Sequence, residues 1–238
     1  MLPEKILIGA VIFLASLLQG VFGFAFMLIA LPLLSFFVSM KAAVPLLSFF
    51  LALLSGILAF RFRGEFAFKN VRSLLIGAII GIPLGIFFLV AFNDRIIKTV
   101  LGILLVVYSV YSLFIRRVPF RLPAWTGYIA GFSAGTLGGA FNITGPPIVF
   151  YISTQEWTKS NSVGSLNFFF CITSIFLLLF HAVIGNITQE ITVTFLELIP
   201  VMVTGMLVGV HIFKKVNEDN YRKGLFVLLI IMGIMLLL

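Results

Sequence analysis

Long apolar stretches, separated by short polar segments, divide the chain into eight blocks. In chain order the blocks are residues 5–38, 42–60, 71–92, 96–115, 124–152, 161–184, 192–213 and 221–238. An α-helix needs about 17–25 apolar residues to cross the hydrocarbon core of a bilayer, and every block is long enough. The alternation of apolar and polar positions that a transmembrane barrel requires does not occur in these blocks. The pattern therefore predicts an all-α polytopic membrane protein.

The first and fifth blocks are longer than one crossing requires, and glycine and proline interrupt both. The first contains ASLLQGVFGFAFMLIALPLL and the fifth contains AGFSAGTLGGAFNITGPPIV. At a spacing of 115 residues, Ala15, Gly20, Gly23, Ala25, Phe26 and Pro32 match Ala130, Gly135, Gly138, Ala140, Phe141 and Pro147. We expect each segment to be either a re-entrant pair of half-helices or two short crossing helices. In the fifth block the two parts are expected to meet near Gly138 and Gly139.

The duplication extends beyond the broken segments and predicts two internal repeats of four blocks. The further matches are Lys41 with Lys159, the Gly81 and Gly85 pair with Gly205 and Gly209, and Asp94 and Lys98 with Asp219 and Lys223. Residues 1–116 form the first predicted repeat and residues 117–238 the second, joined by RRVPFRLP at 116–123. Together the repeats are expected to make one membrane domain.

Basic residues cluster in three connections and indicate how the repeats are oriented. The clusters are Arg61, Arg63, Lys69 and Arg72, then Arg116, Arg117 and Arg121, then Lys214, Lys215, Arg222 and Lys223. Short loops rich in Lys and Arg stay cytoplasmic. All three clusters share one face only if residues 124–152 enter and leave the membrane on the same side or cross it twice. The repeats would then be inverted relative to each other.

The composition supports a lipid environment and excludes several classes of protein. Hydrophobic residues make up 61% of the chain, charged residues make up 10%, and the mean hydropathy is +1.22. A soluble domain could not cover its surface with so few polar side chains. The net charge of +8 comes from short loops, so nucleic acid is not an expected partner. The sequence contains no motif typical of an enzyme, a metal site or a cofactor site, and we expect none of these.

A matched pair of broken apolar segments is typical of the binding site of a secondary transporter. A helix that begins inside the membrane offers free N–H groups and a partial positive charge, which suit an oxyanion. The candidate substrate-binding residues are Gln19, Gly20, Gly23, Phe26, Thr136, Gly138, Gly139, Asn142, Thr144 and Asn167. We expect the second repeat to supply most polar contacts. Alternatively, the glycines serve helix packing, Asn142 and Thr144 cap a helix, and Asn167 bonds a neighbouring helix.

Few ionisable residues lie inside the predicted spans. Glu197 is the carboxylate placed within one, which makes it a candidate for proton coupling, although a position at the membrane interface is the alternative. His181 and His211 stand near predicted helix ends, where a histidine at the level of the lipid headgroups is expected.

The paired G-x-x-G-x-A-F segments with their prolines, the TGPPIVFY ending of the second copy and the four-plus-four layout resemble the TauE/SafE family of membrane transporters, also called sulfite exporters. The resemblance implies transport of sulfite or organosulfonates, usually outward. One departure is that the first copy has Gly23-Phe24 where the second has Gly138-Gly139.

We therefore predict a secondary transporter that moves a small sulfur-containing anion across the inner, cytoplasmic membrane by alternating access. Its expected partners are that anion and the lipid bilayer, and a homo-oligomer is left open. Two other classes stay open, namely an uncoupled channel or facilitator for a small solute, and a membrane scaffold subunit.

Overall fold

The computed structural model describes residues 2–64, 68–114, 121–155, 157–213 and 218–238, and these ranges contain ten α-helices and no strand. The helices are α1 (Leu2–Phe22), α2 (Phe26–Ser35), α3 (Met40–Arg61), α4 (Phe68–Ala91), α5 (Asp94–Phe114), α6 (Thr126–Phe141), α7 (Gly145–Ser153), α8 (Lys159–Val183), α9 (Gln189–Phe213) and α10 (Glu218–Leu237). Helices α3, α4, α5, α8 and α9 are long and apolar enough to cross a membrane. The chain is thus an all-helical, multi-pass membrane protein.

The helices follow the eight predicted blocks, and each predicted broken segment consists of two helices, α1 with α2 and α6 with α7. Some residues of the predicted basic clusters and of the predicted repeat matches lie outside the described residues or have side chains that are not described. They are Lys69, Arg116, Arg117, Lys159, Lys214, Lys215, Asp219, Arg222 and Lys223.

The break in the second broken segment lies later than predicted. Helix α6 continues through Gly138 and Gly139 and ends at Phe141. Gly139 lies within this helix, and its missing side chain lets the α4 backbone approach, because an added Cβ would collide with the Ile82 carbonyl oxygen. The helix ends where Asn142 adopts the left-handed conformation, with φ 51°, which is rare for a residue other than glycine.

Close glycine contacts show the relative directions of the helices. Helices α4 and α6 run parallel, because successive glycines of α4 meet successive positions of α6. A Cβ added to Gly77 would lie 2.7 Å from the Phe132 nitrogen of α6. The corresponding distance is 2.8 Å from Gly81 to the Thr136 nitrogen and 2.7 Å from Gly85 to the Ala140 nitrogen. Helices α1 and α9 are parallel in the same way, with Gly205 against the Phe13 carbonyl oxygen and Gly209 against the Leu17 carbonyl oxygen.

Helices α5 and α10 pack antiparallel. A Cβ at Gly102 would lie 2.7 Å from the Gly233 carbonyl oxygen. Farther along α5 but earlier in α10, the rings of Tyr108 and Phe226 have centroids 5.8 Å apart. The order of contacts is therefore opposite in the two helices.

Helix α2 lies in the centre of the molecule. Nine of its ten residues are buried, and it contacts α1, α3, α5 and α10. With ten residues α2 is too short to cross the membrane, and other helices rather than lipid cover its apolar sides. This burial fixes the start of α2, and with it the first helix break, in the interior.

Candidate functional site

The two helix breaks have the same backbone geometry. Gly23 directly follows α1 with φ 80°, and Asn142 directly follows α6 with φ 51°. The residues that precede the next helices are also alike, since Ala25 has φ −87° and ψ −10° and Thr144 has φ −87° and ψ −13°. The chain therefore turns through the same backbone conformation at both breaks, although only the first break has glycine at the left-handed position.

The matching residues of the two breaks are 119 positions apart, not the 115 predicted from sequence. A shift of four residues is about one helical turn, so it keeps the small residues on nearly the same helix face. Gly20 can match Gly135 or Gly139, because both of these pack against the backbone of α4. The glycine pattern alone fits both spacings, 115 and 119 residues, and the position of the turn selects 119.

Gln19 holds the first break together. Its side chain is fully buried, its Nε2 donates to the Gly23 carbonyl oxygen at 3.0 Å, and its Oε1 accepts the Phe26 N–H at 2.9 Å. The amide thereby bonds backbone groups on both sides of the break that the two helices leave without partners. Gln19 was predicted as a substrate ligand, and in this conformation its amide is engaged within the first segment.

Asn142 joins the second break to α3. Its Nδ2 donates to Ser48 Oγ at 2.8 Å, and the Ser48 hydroxyl donates to the Val44 carbonyl oxygen at 2.8 Å. The other polar atom of the amide, Oδ1, is buried and has no hydrogen-bond partner among the described residues. Ser48 was not predicted from sequence, although a hydroxyl in the apolar run of α3, where Ser55 is the second one, is a signal that could have identified it.

A cavity lies where the two breaks meet. It is a small, partly open pocket lined by Phe24, Met27, Leu28, Leu51, Asn142, Ile143, Thr144, Gly145 and Phe170. The absence of a side chain at Gly145 keeps this space open, since an added Cβ would lie 3.9 Å from both Phe24 Cδ2 and Phe170 Cζ. The cavity is thus bounded by the first residues of α2 and by the turn that leads into α7.

The cavity lining combines apolar walls with a few hydrogen-bonding groups. Among the described residues, its polar side chains are Asn142 and Thr144, and none of those lining it is Lys, Arg, Asp or Glu. Met27 and Leu28 belong to the first turn of α2, whose N–H groups have no partner within that helix. In α7 the first turn contains two prolines without an N–H group, so its donors come from Gly145 and the residues before it.

Two other predicted residues lie beside the breaks. Gly138 makes room for Thr144, because an added Cβ would lie 2.5 Å from the Thr144 Cγ2 methyl group. Thr144 makes no side-chain capping bond to α7. Asn167 approaches the first break, where its Nδ2 would lie 4.0 Å from a Cβ added to Gly23. The Nδ2 of Asn167 donates to the Val163 carbonyl oxygen at 2.9 Å.

The remaining predicted residues do not line the cavity. An added Cβ at Gly20 would lie 2.6 Å from the Met206 carbonyl oxygen of α9, and Gly139 faces α4. The hydroxyl of Thr136 donates to the Phe132 carbonyl oxygen of its own helix at 3.0 Å. The Phe26 ring packs in the core, with its centroid 6.4 Å from that of Phe50.

Glu197 lies on another part of the molecule. Its Oε2 forms an ion pair with Lys5 Nζ at 2.7 Å, and both side chains are more than two-fifths exposed, at 49% and 41%. The pair joins α9 to α1 and does not take part in the cavity lining.

Comparison with known proteins identifies the family. The sequence profile of the family described as "Sulfite exporter TauE/SafE" matches residues 8–236. A protein of Cupriavidus necator named "Probable sulfite/organosulfonate exporter TauE" is 25% identical over 175 residues, which cover 71% of this chain and 68% of that protein. No solved structure matches. Because the family profile spans both helix breaks and nearly the whole chain, the protein belongs to the sulfite exporter TauE/SafE family of transporters.

Proposed function

We propose that this protein is a secondary transporter that moves a small sulfur-containing anion, of the sulfite or organosulfonate class, across the cytoplasmic membrane by alternating access. The observation that carries the proposal is the pocket where the two helix breaks meet, which presents the buried amide of Asn142. Membership of the TauE/SafE family and the name of the Cupriavidus necator relative support the substrate class.

The chemistry of the cavity suits a small oxyanion that must also be released. The start of a helix carries a partial positive charge equivalent to roughly half an elementary charge, and the starts of both α2 and α7 border the cavity. These partial charges and the N–H groups of Met27, Leu28 and Gly145 can bind sulfonate oxygens without a full cation. Because none of the described lining residues is Lys or Arg, the proposed site holds the anion without an ion pair that would slow its release.

The helix directions support two inverted repeats, residues 1–116 and 117–238. Helices α5 and α10 end the two proposed repeats and pack antiparallel, as an inverted pair requires. The glycine contacts between the repeats are also equivalent, because α6 packs along α4 and α1 packs along α9. Each broken segment thus lies against a helix of the other repeat.

The directions also support re-entrant broken segments. Helix α8 runs parallel to α4, because the rings of Phe68 and Phe168 lie 6.3 Å apart and Leu177 packs with Ile82 and Ile86 farther along. Helix α6 is parallel to α4 as well. The shared direction of α6 and α8 supports a return of α7 between them, with the segment of α6 and α7 entering and leaving on one face.

This arrangement agrees with the loop charges. Helices α4 and α10 run opposite to α5, so the starts of α4 and α10 and the end of α5 share one face of the membrane. The three basic clusters of the sequence flank these three helix ends. The face is therefore proposed to be cytoplasmic.

Counterflow in proteoliposomes tests the function. Vesicles containing the purified protein are loaded with unlabelled sulfite and diluted into [³⁵S]sulfite at equal pH, in parallel with sulfate-loaded vesicles. We expect transient accumulation of label with sulfite inside and none with sulfate. A carrier produces such an overshoot and an uncoupled channel does not, so simple equilibration would indicate a channel, and the absence of any flux would contradict transport of sulfite.

A further inference from the structure

One face of α8 carries buried polar side chains that extend beyond the cavity. Asn167, Ser174 and His181 recur every seven residues, which places them on the same face of the helix. All three side chains are fully buried. Six buried side-chain atoms in the described part of the chain have no hydrogen-bond partner, and three of them lie here: Asn167 Oδ1, Ser174 Oγ and His181 Nε2.

The sequence predicted His181 near a helix end at the level of the lipid headgroups, and the structure places it in the last turn of α8. Its ring is fully buried, because α8 packs against both α3 and α4. His211, the other histidine of the chain, is exposed on α9. The histidine inside the protein is therefore His181.

The polar face of α8 meets α3. Cys171 lies between Asn167 and Ser174 on this face, and a Cβ added to Gly56 of α3 would lie 3.5 Å from the Cys171 Sγ. Helix α3 presents two buried hydroxyl groups, Ser48 and Ser55, which are also seven residues apart.

The helix directions place His181 and Ser48 toward the same end of this interface. Helix α4 is the next membrane-spanning helix after α3 and so crosses in the opposite direction, and α8 is parallel to α4. Helix α3 is therefore antiparallel to α8. Ser48 precedes the Gly56 contact by two turns, and His181 follows Cys171 by nearly three turns. Since Ser48 accepts from Asn142, the polar face of α8 reaches the level of the cavity wall.

The two ring nitrogens of His181 have different surroundings. Nδ1 lies 3.3 Å from Asn186 Nδ2, in the connection between α8 and α9. An amide nitrogen donates, so Nδ1 accepts and the proton of the neutral ring is on Nε2. Nε2, with its N–H group, is the ring atom that has no partner among the described residues. The ring thus lies between the segment that joins α8 to α9, on its Nδ1 side, and the protein interior, on its Nε2 side.

No described ion pair or hydrogen bond joins His181 to a charged group. The titratable or charged residues on α8 and on the helices packed against it are Lys41, Arg61, Lys69, Arg72, Tyr128, Tyr151, Lys159 and Cys171. Of these, Lys41 lies at the start of α3, toward the His181 end, and its ammonium group donates to the Val90 carbonyl oxygen at 3.0 Å. Glu190, in the first turn of α9, is the nearest carboxylate along the chain.

Buried polar atoms without partners destabilise a fold, so several on one helix face call for a functional explanation. An ionisable residue inside a membrane protein is by default a candidate for a relay or coupling site. We propose that this face of α8 is a proton path and that His181 binds the proton that couples anion movement to a proton gradient. The inference rests on the proposed transport function, and it assigns coupling to His181 where the sequence suggested Glu197.

The proposed step moves one proton through the ring and leaves the anion chemically unchanged. A proton from the solution at the α8–α9 connection forms an N–H bond at Nδ1, where the Asn186 amide turns its oxygen to accept it. The imidazolium ring then breaks its Nε2–H bond, and a water molecule on the interior side of the ring takes that proton as hydronium and releases it past Ser174, which leaves the neutral ring with its proton on Nδ1. The ring returns to its neutral form, so one proton enters and one leaves.

The test separates exchange from proton-driven accumulation in proteoliposomes containing the full chain. Exchange of [³⁵S]sulfite and of [¹⁴C]methanesulfonate is measured at equal pH, and accumulation is measured under a pH gradient with a pH-sensitive dye inside. Methanesulfonate stays ionised, so the dye signal during its transport reports protons carried by the protein. The variants are His181→Gln and Ser174→Ala. The controls are His211→Gln, at an exposed position of α9, and Thr173→Val, which removes a hydroxyl group that donates to the Phe169 carbonyl oxygen of its own helix.

We expect His181→Gln to exchange within about twofold of the wild type and to lose at least about tenfold in gradient-driven accumulation, because glutamine cannot titrate. Ser174→Ala should also reduce gradient-driven accumulation, and both control variants should behave as the wild type.

Unchanged accumulation and dye signal in His181→Gln would overturn the proton path. Wild-type exchange combined with accumulation that the pH gradient does not affect would overturn it as well. If His181→Gln also loses exchange, Ser174→Ala decides, and unchanged accumulation in that variant would overturn the path. Absence of wild-type exchange for both anions would overturn the proposed function and this inference with it.

Discussion

The amide of Asn142 donates to Ser48 Oγ at 2.8 Å, and this hydrogen bond joins residues 94 positions apart in the chain. It ties the second helix break to α3 and fixes the orientation of the amide whose Oδ1 has no partner among the described residues. The wall of the cavity is thus positioned by a residue of the other half of the chain.

Replacement of Ser48 by Ala should weaken both the site and the fold. The change leaves the Asn142 Nδ2 donor buried without its acceptor, which costs about 1–3 kcal/mol. We expect a lower melting temperature and reduced sulfite exchange. Ser55→Ala is the matched control, because the equally buried Ser55 hydroxyl donates to the Leu51 carbonyl oxygen of its own helix. Equal melting temperatures and exchange rates for the two variants would contradict the role assigned to Ser48.

Glycine contacts between α4 and α6 should be essential for stability. A Cβ at Gly85 would collide with the Thr136 carbonyl oxygen and lie 2.7 Å from the Ala140 nitrogen, so Gly85→Ala should destabilise by about 1–3 kcal/mol through forced separation of the helices. Gly224→Ala in α10 is the control, because no described atom outside its own stretch of helix lies within 4 Å of its added Cβ, and alanine there should be neutral or stabilising. Thermal unfolding in detergent provides the comparison. A Gly85→Ala protein as stable as Gly224→Ala would refute the close packing.

The inverted arrangement predicts which connections share a face of the membrane. In a Cys171→Ser background, which removes the single native cysteine, reporters are introduced as Gly64→Cys, Asn186→Cys and Asn217→Cys. We expect an impermeant maleimide to label positions 64 and 217 from one face and position 186 from the other. Labelling of positions 186 and 217 from the same face would contradict inverted repeats.

The ion pair between Lys5 and Glu197 should contribute little to stability or coupling. Both side chains are partly exposed, and pairs of this kind stabilise by about 0–1 kcal/mol. Glu197→Gln should therefore change the melting temperature only slightly and should keep accumulation driven by a pH gradient. Loss of that accumulation with normal exchange would instead support the sequence-based hypothesis that Glu197 carries the coupling proton.

The sequence predicted the helices and the two breaks well, because length, apolar content, glycine and proline are local signals. It placed the second break one turn too early, since Gly138 and Gly139 are also suited to close helix packing. The turn occurs at Asn142, which adopts the left-handed conformation. Asparagine tolerates this conformation but also occurs in others, so its presence in the sequence does not predict a turn.

Side-chain roles at the site depend on contacts that no local pattern encodes. Gln19 resembles a ligand in the sequence, yet it bonds the Phe26 N–H across the turn. The burial of His181 and the approach of Asn167 to Gly23 follow from how α8 packs against distant segments. These features required the tertiary structure.

The central claim is that the cavity between the helix breaks binds a sulfur-containing anion. The most direct measurement is the thermal stability of the purified protein with sulfite, sulfate, taurine, sulfoacetate, thiosulfate or chloride, for the wild type and for Asn142→Gly. Glycine keeps the left-handed backbone and removes the amide, so this variant should fold. A ligand present at about 100 times its dissociation constant should stabilise by about 2.7 kcal/mol. The account predicts selective stabilisation of the wild type by sulfite or an organosulfonate, and its loss in Asn142→Gly. A melting temperature that no anion changes, or equal stabilisation of both proteins, would contradict it.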